Sequence, residues 1–125
     1  MVRIVGDDFK LLIVIVKKNL SRKVLKACQK AGAEGGTVLT GRGTGTHDTG
    51  TIFGVKVEPE KDIIFILTPD EAVDAVISKV RAAVHLDKPG TGIAFVVNSK
   101  SICGIAHLLD QQNDNFKNEQ EDEKA

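Results

Sequence analysis

The chain has 125 residues, 42% of them hydrophobic and 27% charged. That length fits one domain and leaves no room for a catalytic domain beside a regulatory one. Lys plus Arg equal Asp plus Glu at 17 each, so no bulk charge points to nucleic acid or an anionic membrane. Five Phe without Trp or Tyr imply a core of Val, Ile, Leu and Ala and argue against a base-stacking platform. The balance hides an asymmetry. Residues 1–109 carry 15 basic and 11 acidic side chains, residues 110–125 carry 2 and 6, and the two segments net +4 and −4.

Lys10 to Val16 is apolar, but too short to span a bilayer, and Lys17 and Lys18 follow it at once. No small-residue cleavage site comes after it, so a soluble, cytoplasmic protein is expected. Leu11–Val16 reads as a strand covered on both faces or lying at an interface. Ser21 is placed to cap a helix, with Leu20 and Leu25 as a hydrophobic staple. Val24, Leu25, Cys28 and Ala31 share one face of that helix, and Gly32 ends it. Thr37–Thr40 reads as the second strand. Five glycines among the fourteen residues 41–54 leave no regular element there. After the Glu58-Pro59-Glu60 break, Asp62–Leu67 is the third strand. Thr68, Pro69 and Glu71 form a capping box that starts a second helix. Its buried face continues through Val73, Val76, Ile77, Val80 and Val84. Asp87 to Gly92 is a second tight loop, Ile93–Val97 the fourth strand, and Ile102–Ile105 a short extra one.

The order is strand–helix–strand twice over, an α+β, ferredoxin-like βαββαβ pattern. It implies an antiparallel sheet with two helices on one face. The other face of apolar strands then needs a cover, which points to oligomerisation. Replacing Ile64 or Ile66 by Asp is expected to dissociate or unfold the protein. Residues 1–109 are read as the domain and 110–125 as an acidic, polar, disordered tail.

Two glycine loops carry the chemistry. Gly41-Arg42-Gly43-Thr44-Gly45-Thr46-His47-Asp48 brings backbone amides and a fork-shaped cation to an anion. It is neither a Walker loop nor a dinucleotide fingerprint, and a plain flexible hairpin remains open. Lys88-Pro89-Gly90-Thr91-Gly92 is a second nest beside a lysine, or simply a tight connection. If both lie at one end of the sheet, one ligand touches both. His47 and Asp48 lack a nucleophile. His85, His107, Cys28 and Cys103 lack metal-ligand spacing, and the two cysteines make no disulfide framework. No catalytic constellation is present, so an enzyme is not expected. Arg22, Lys23, Lys26 and Lys30 of the first helix read as a solvated face, not a nucleic-acid surface.

Gly35-Gly36-Thr37-Val38 followed by Arg42-Gly43-Thr44-Gly45, then Leu67-Thr68-Pro69-Asp70-Glu71, then Lys88 to Val96, resemble in order and spacing the PII signal-transduction (nitrogen regulatory protein P-II) family, in a divergent PII-like branch. The resemblance covers Lys10 to Ile105. It implies a homotrimer with its sheets turned inward and an adenine nucleotide in the cleft between subunits. It also implies a flexible T-loop, about 41–60, that controls a membrane transporter or a metabolic enzyme of nitrogen and carbon metabolism. Thr37 matches the strand threonine near the adenine. Gly43 and Gly45 match the loop-base glycines at the phosphates, and Gly90 and Gly92 the B-loop glycines. Arg42 and Lys88 are the expected cations. Lys61 matches a lysine used for 2-oxoglutarate, and Thr46, His47, Asp48, Phe53 and Lys61 are the expected partner contacts.

The departures are specific. The B-loop aspartate is Thr91, the lysine after it Ile93, and the arginine after the loop-base glycines Thr46. Two C-terminal arginines fall at Gly104 and Ala106. The loop is shorter and holds neither the modified tyrosine nor the glutamine of typical members. Each charge-assisted contact to a phosphate contributes about 1.5–3 kcal/mol. ADP, AMP or another small anion is therefore expected rather than ATP, and no cofactor is required. Two other readings stay open: a ligand-free trimeric interaction module, and a CutA-like metal-tolerance protein.

Overall fold

A computed structural model describes residues 4–5, 8–44, 51–52, 55–56 and 58–104. Its elements are β1 (Ile4–Val5), β2 (Phe9–Lys17), α1 (Ser21–Lys30), β3 (Thr37–Arg42), β4 (Thr51–Ile52), β5 (Val55–Lys56), β6 (Glu60–Pro69), a 3-10 turn (Asp70–Ala72), α2 (Val73–Ala83), β7 (Gly92–Asn98) and β8 (Ser101–Ile102). The four long strands stand in the order β3-β6-β2-β7, and every neighbouring pair is antiparallel. This is the ferredoxin-like arrangement, with both strand–helix–strand halves feeding one sheet.

Period-two alternation divides each strand between two faces. Leu12, Val14 and Val16 of β2 and Ile64 and Ile66 of β6 form one buried cluster with Val24, Ala27 and Cys28 of α1 and Val76, Val80 and Val84 of α2. Both helices therefore cover the same face. The register pairs Ile13 with Phe65 and Phe95, and Ile15 with Ile63 and Ile93. These side chains stand on the other face, which neither described helix covers. Ile93 is 56% exposed, Leu39 48%, Val97 41% and Phe95 40%. Ile64 and Ile66 lie under the helices, fully buried, so an Asp there strikes the core and not the open face.

Several elements depart from the sequence reading. The β2–β6 ladder runs from Phe9 opposite Pro69 to Lys17 opposite Lys61, longer at both ends than the apolar runs, because backbone pairing needs no apolar side chain. This overturns the capping box at Thr68. Thr68 is a buried strand residue opposite Lys10, its hydroxyl finds no partner among the described residues, and the 3-10 turn and α2 begin without a side-chain cap. Ser21 does not cap α1 either. The carboxylate of Asp62, buried on β6, accepts hydrogen bonds from the backbone N–H groups of Asn19 (2.9 Å) and Ser21 (3.3 Å). The cap thus comes from another strand, where no local pattern reveals it.

The glycine-rich stretch is more ordered at its ends than its composition suggests. Gly41 and Arg42 continue β3, and Thr51–Ile52 pairs with Val55–Lys56. Of the extra strand expected at Ile102–Ile105, only Ile102 lies in one, β8, which pairs with β1; Cys103 and Gly104 follow outside it, and Ile105 lies outside the described residues. Gly45, Thr46, His47, Asp48 and Phe53, and the tail 110–125, lie outside the described residues.

Candidate functional site at the loop base and sheet edges

At one end of the sheet a single row crosses all four strands. Gly41 pairs with Lys61, Lys61 with Lys17, and the Lys17 N–H donates to the Thr91 carbonyl at 3.3 Å. Arg42 and Gly43 thus share an end with Thr91 and Gly92. They stand on opposite edges, since β3 and β7 are the outer strands. Three strand spacings separate them, about 14 Å. The condition that both loops lie at one end holds for their described bases, which within one chain stand on opposite edges.

The loop base is tied from several sides. Arg42 pairs with Glu60 in the ladder, and the Gly43 N–H donates to the Pro59 carbonyl at 3.2 Å. Glu60 forms an ion pair with Lys18 at 2.6 Å. This contact holds the Lys18 ammonium above its ordinary pKa and, aided by nearby Arg42, the Glu60 carboxyl below its own. Both stay ionised at neutral pH. Arg42 is exposed, and a side chain added at Gly43 would meet nothing within 4 Å. Lys61 is half-buried in this row.

On the opposite edge, Lys88 is exposed in a turn that the Lys88 N–H closes by donating to His85 O at 3.0 Å. Gly90 has φ +82°, a backbone that excludes most other residues. Gly92 is glycine for a separate reason: a Cβ there would lie 2.3 Å from Ile15 O. Its identity follows from close strand approach, whatever the loop binds.

Thr37 stands apart, five residues from Arg42 along β3, or about 17 Å. It lines a cavity of about 640 Å³ at the other end of the open face, with Phe9, Leu11, Phe65, Leu67, Pro69 and the Gly35–Gly36 backbone. Glu34 brings a carboxylate to the same lining. Apolar walls with a hydroxyl and a carboxylate suit a flat ring whose edge carries hydrogen-bonding groups. Sequence reasoning found Thr37 but missed the other side chains, which only the strand register places on one face.

Among the described residues no group of three His, Cys, Asp or Glu could hold a metal ion, and no helix is long and apolar enough to cross a membrane. Cys28 is buried, and burial raises its thiol pKa to about 11.

The family model for nitrogen regulatory protein P-II matches residues 9–106. No curated protein matches the chain. Among solved structures, Arabidopsis thaliana PII bound to citrate is similar at a TM-score of 0.61 and 23% identity, over 79% of this chain and 84% of that one. That likeness establishes the fold, the family match spans most of the sequence, and the chain belongs to the nitrogen regulatory protein P-II family.

Proposed function

We propose that this P-II family protein is a trimeric regulatory module. It binds an adenine nucleotide with fewer than three phosphates, or a comparable small anion, between subunits, and controls a transporter or metabolic enzyme through residues 41–60. What supports the reading is that the described bases of the two glycine loops, Arg42–Gly43 and Thr91–Gly92, lie at one end of the sheet on opposite edges. A ligand that touches both needs β7 of one copy beside β3 of another. The uncovered apolar face gives copies a reason to meet. In this reading Arg42 and Lys88 meet the anionic part, and the backbone amides near Gly43, Gly45, Gly90 and Gly92 supply further donors. The cavity beside Thr37 takes the base. Lys61 contributes less, because the glutamine that accompanies it in typical members is missing.

Calorimetric titration with ATP, ADP, AMP and citrate, with and without magnesium and 2-oxoglutarate, tests the proposal. ADP or AMP should bind without magnesium. Arg42→Ala should weaken binding about tenfold or more, the loss of one charge-assisted contact. Gly43→Ala, which finds open space, should leave the fold intact, so any loss of affinity in it reports on ligand approach. Tight ATP binding dependent on magnesium and 2-oxoglutarate would refute the ligand assignment. No binding of any of them would favour the ligand-free interaction module.

A further inference from the structure

We propose that the acidic segment 119–123 of the chain's own tail docks on the outer face of α1. That helix carries Arg22, Lys23, Lys26 and Lys30, all exposed, and no acidic residue. Among the described residues none of the four forms an ion pair. At 3.6 residues per turn they fall within an arc of about 100° and along about 12 Å of helix. Glu119, Glu121, Asp122 and Glu123 span about 13 Å of extended chain, a matching length. The helix sums to +4 and residues 110–125 to −4, so the two segments neutralise each other.

The route is short enough. β7 runs antiparallel to β2 and ends with Asn98 opposite Lys10. α1 starts beside Asp62, opposite Val16, and returns toward the same end, where Gly32 lies beside Ala72. The chain therefore leaves β7 at the same end of the sheet as the C-terminus of α1, on the edge away from β3. Fifteen residues separate Gly104 from Glu119, about 50 Å of chain at full extension. This exceeds the ~14 Å that separates the outer strands of a four-stranded sheet. Because tail and helix belong to one chain the contact is intramolecular, ahead of untethered polyanions.

A nitroxide on Ala125→Cys in full-length protein carrying Cys103→Ser tests the contact by broadening of amide signals. The expected result is broadening of residues 22–30 severalfold beyond that of the outer face of α2. It should vanish at about 0.5 M NaCl, where screening acts within about 4 Å. It should also vanish in the fold-neutral variant Glu119→Gln/Glu121→Gln/Asp122→Asn/Glu123→Gln. Equal broadening of both helices, broadening centred on another surface, or broadening indifferent to salt and to neutralisation would overturn the proposal.

Discussion

Phe95→Asp should separate assembly from folding. Phe95 lies on the uncovered sheet face, 40% exposed, beside Ile93 at 56% and Val97 at 41%. For a ring of about 200 Å², 40% is about 80 Å², worth about 2 kcal/mol when a neighbouring copy covers it. An Asp loses that term and places a carboxylate in an apolar contact, at a further cost of several kcal/mol. A total of about 4–6 kcal/mol per subunit lowers association by three to four orders of magnitude. In an isolated subunit the side chain stays wet, so the helix-covered core is untouched. Sedimentation equilibrium near ~10 µM should show a trimer for the parent and a monomer for the variant, with unchanged far-ultraviolet circular dichroism. Ile64→Asp, under the helices at 0% exposure, should instead abolish folding. A Phe95→Asp variant that stays trimeric, or a parent that is monomeric, would refute the assignment of this face to assembly.

Three further outcomes follow from single contacts. Asp62→Ala should lower stability by about 2 kcal/mol and the melting temperature by roughly 8 °C, since the Asn19 and Ser21 amides lose their acceptor; Asp62→Asn should recover more than half, and a neutral Asp62→Ala would contradict the cap. Gly92→Ala should cost about 2 kcal/mol or more in urea denaturation, because its Cβ would sit 2.3 Å from Ile15 O; stability equal to the parent would contradict that close approach. In native protein at pH 8 a thiol reagent should label exposed Cys103 and spare buried Cys28, whose pKa near 11 leaves about one thiolate in a thousand. Two rapid labels without denaturant would show that Cys28 is not sealed.

Periodicity made the core legible. Val24, Val76, Val80 and Val84 were expected on buried helix faces and are buried. The strands were found but cut short, because apolar runs stop before backbone ladders do. Which side of a strand faces the helices was not legible at all. Leu11–Val16 is apolar at every position, so composition distinguishes neither face, and only the helices' position separates Val14 from Ile13. The Thr68-Pro69-Asp70-Glu71 string resembles a capping box by local rules, yet pairing with β2 claims Thr68 for the sheet. The cap that does exist joins Asp62 to residues more than forty positions away. The cavity beside Thr37 was missed for the same reason, since Phe9, Phe65 and Leu67 become neighbours only through register.

The tied base of the 41–60 segment also bears on how the protein can diverge. Arg42 pairs with Glu60 and the Gly43 N–H with Pro59 O, while Asp62, two ladder positions further along β6, fastens that strand to the start of α1. The sheet therefore holds the two ends of the segment together whatever lies between them. For a loop whose ends are already fixed, doubling its length costs only about 0.6 kcal/mol of closure entropy. Insertions, deletions or wholesale exchange between residues 44 and 58 should be inherited at small thermodynamic cost. The surface presented there is free to evolve on a timescale uncoupled from that of the core.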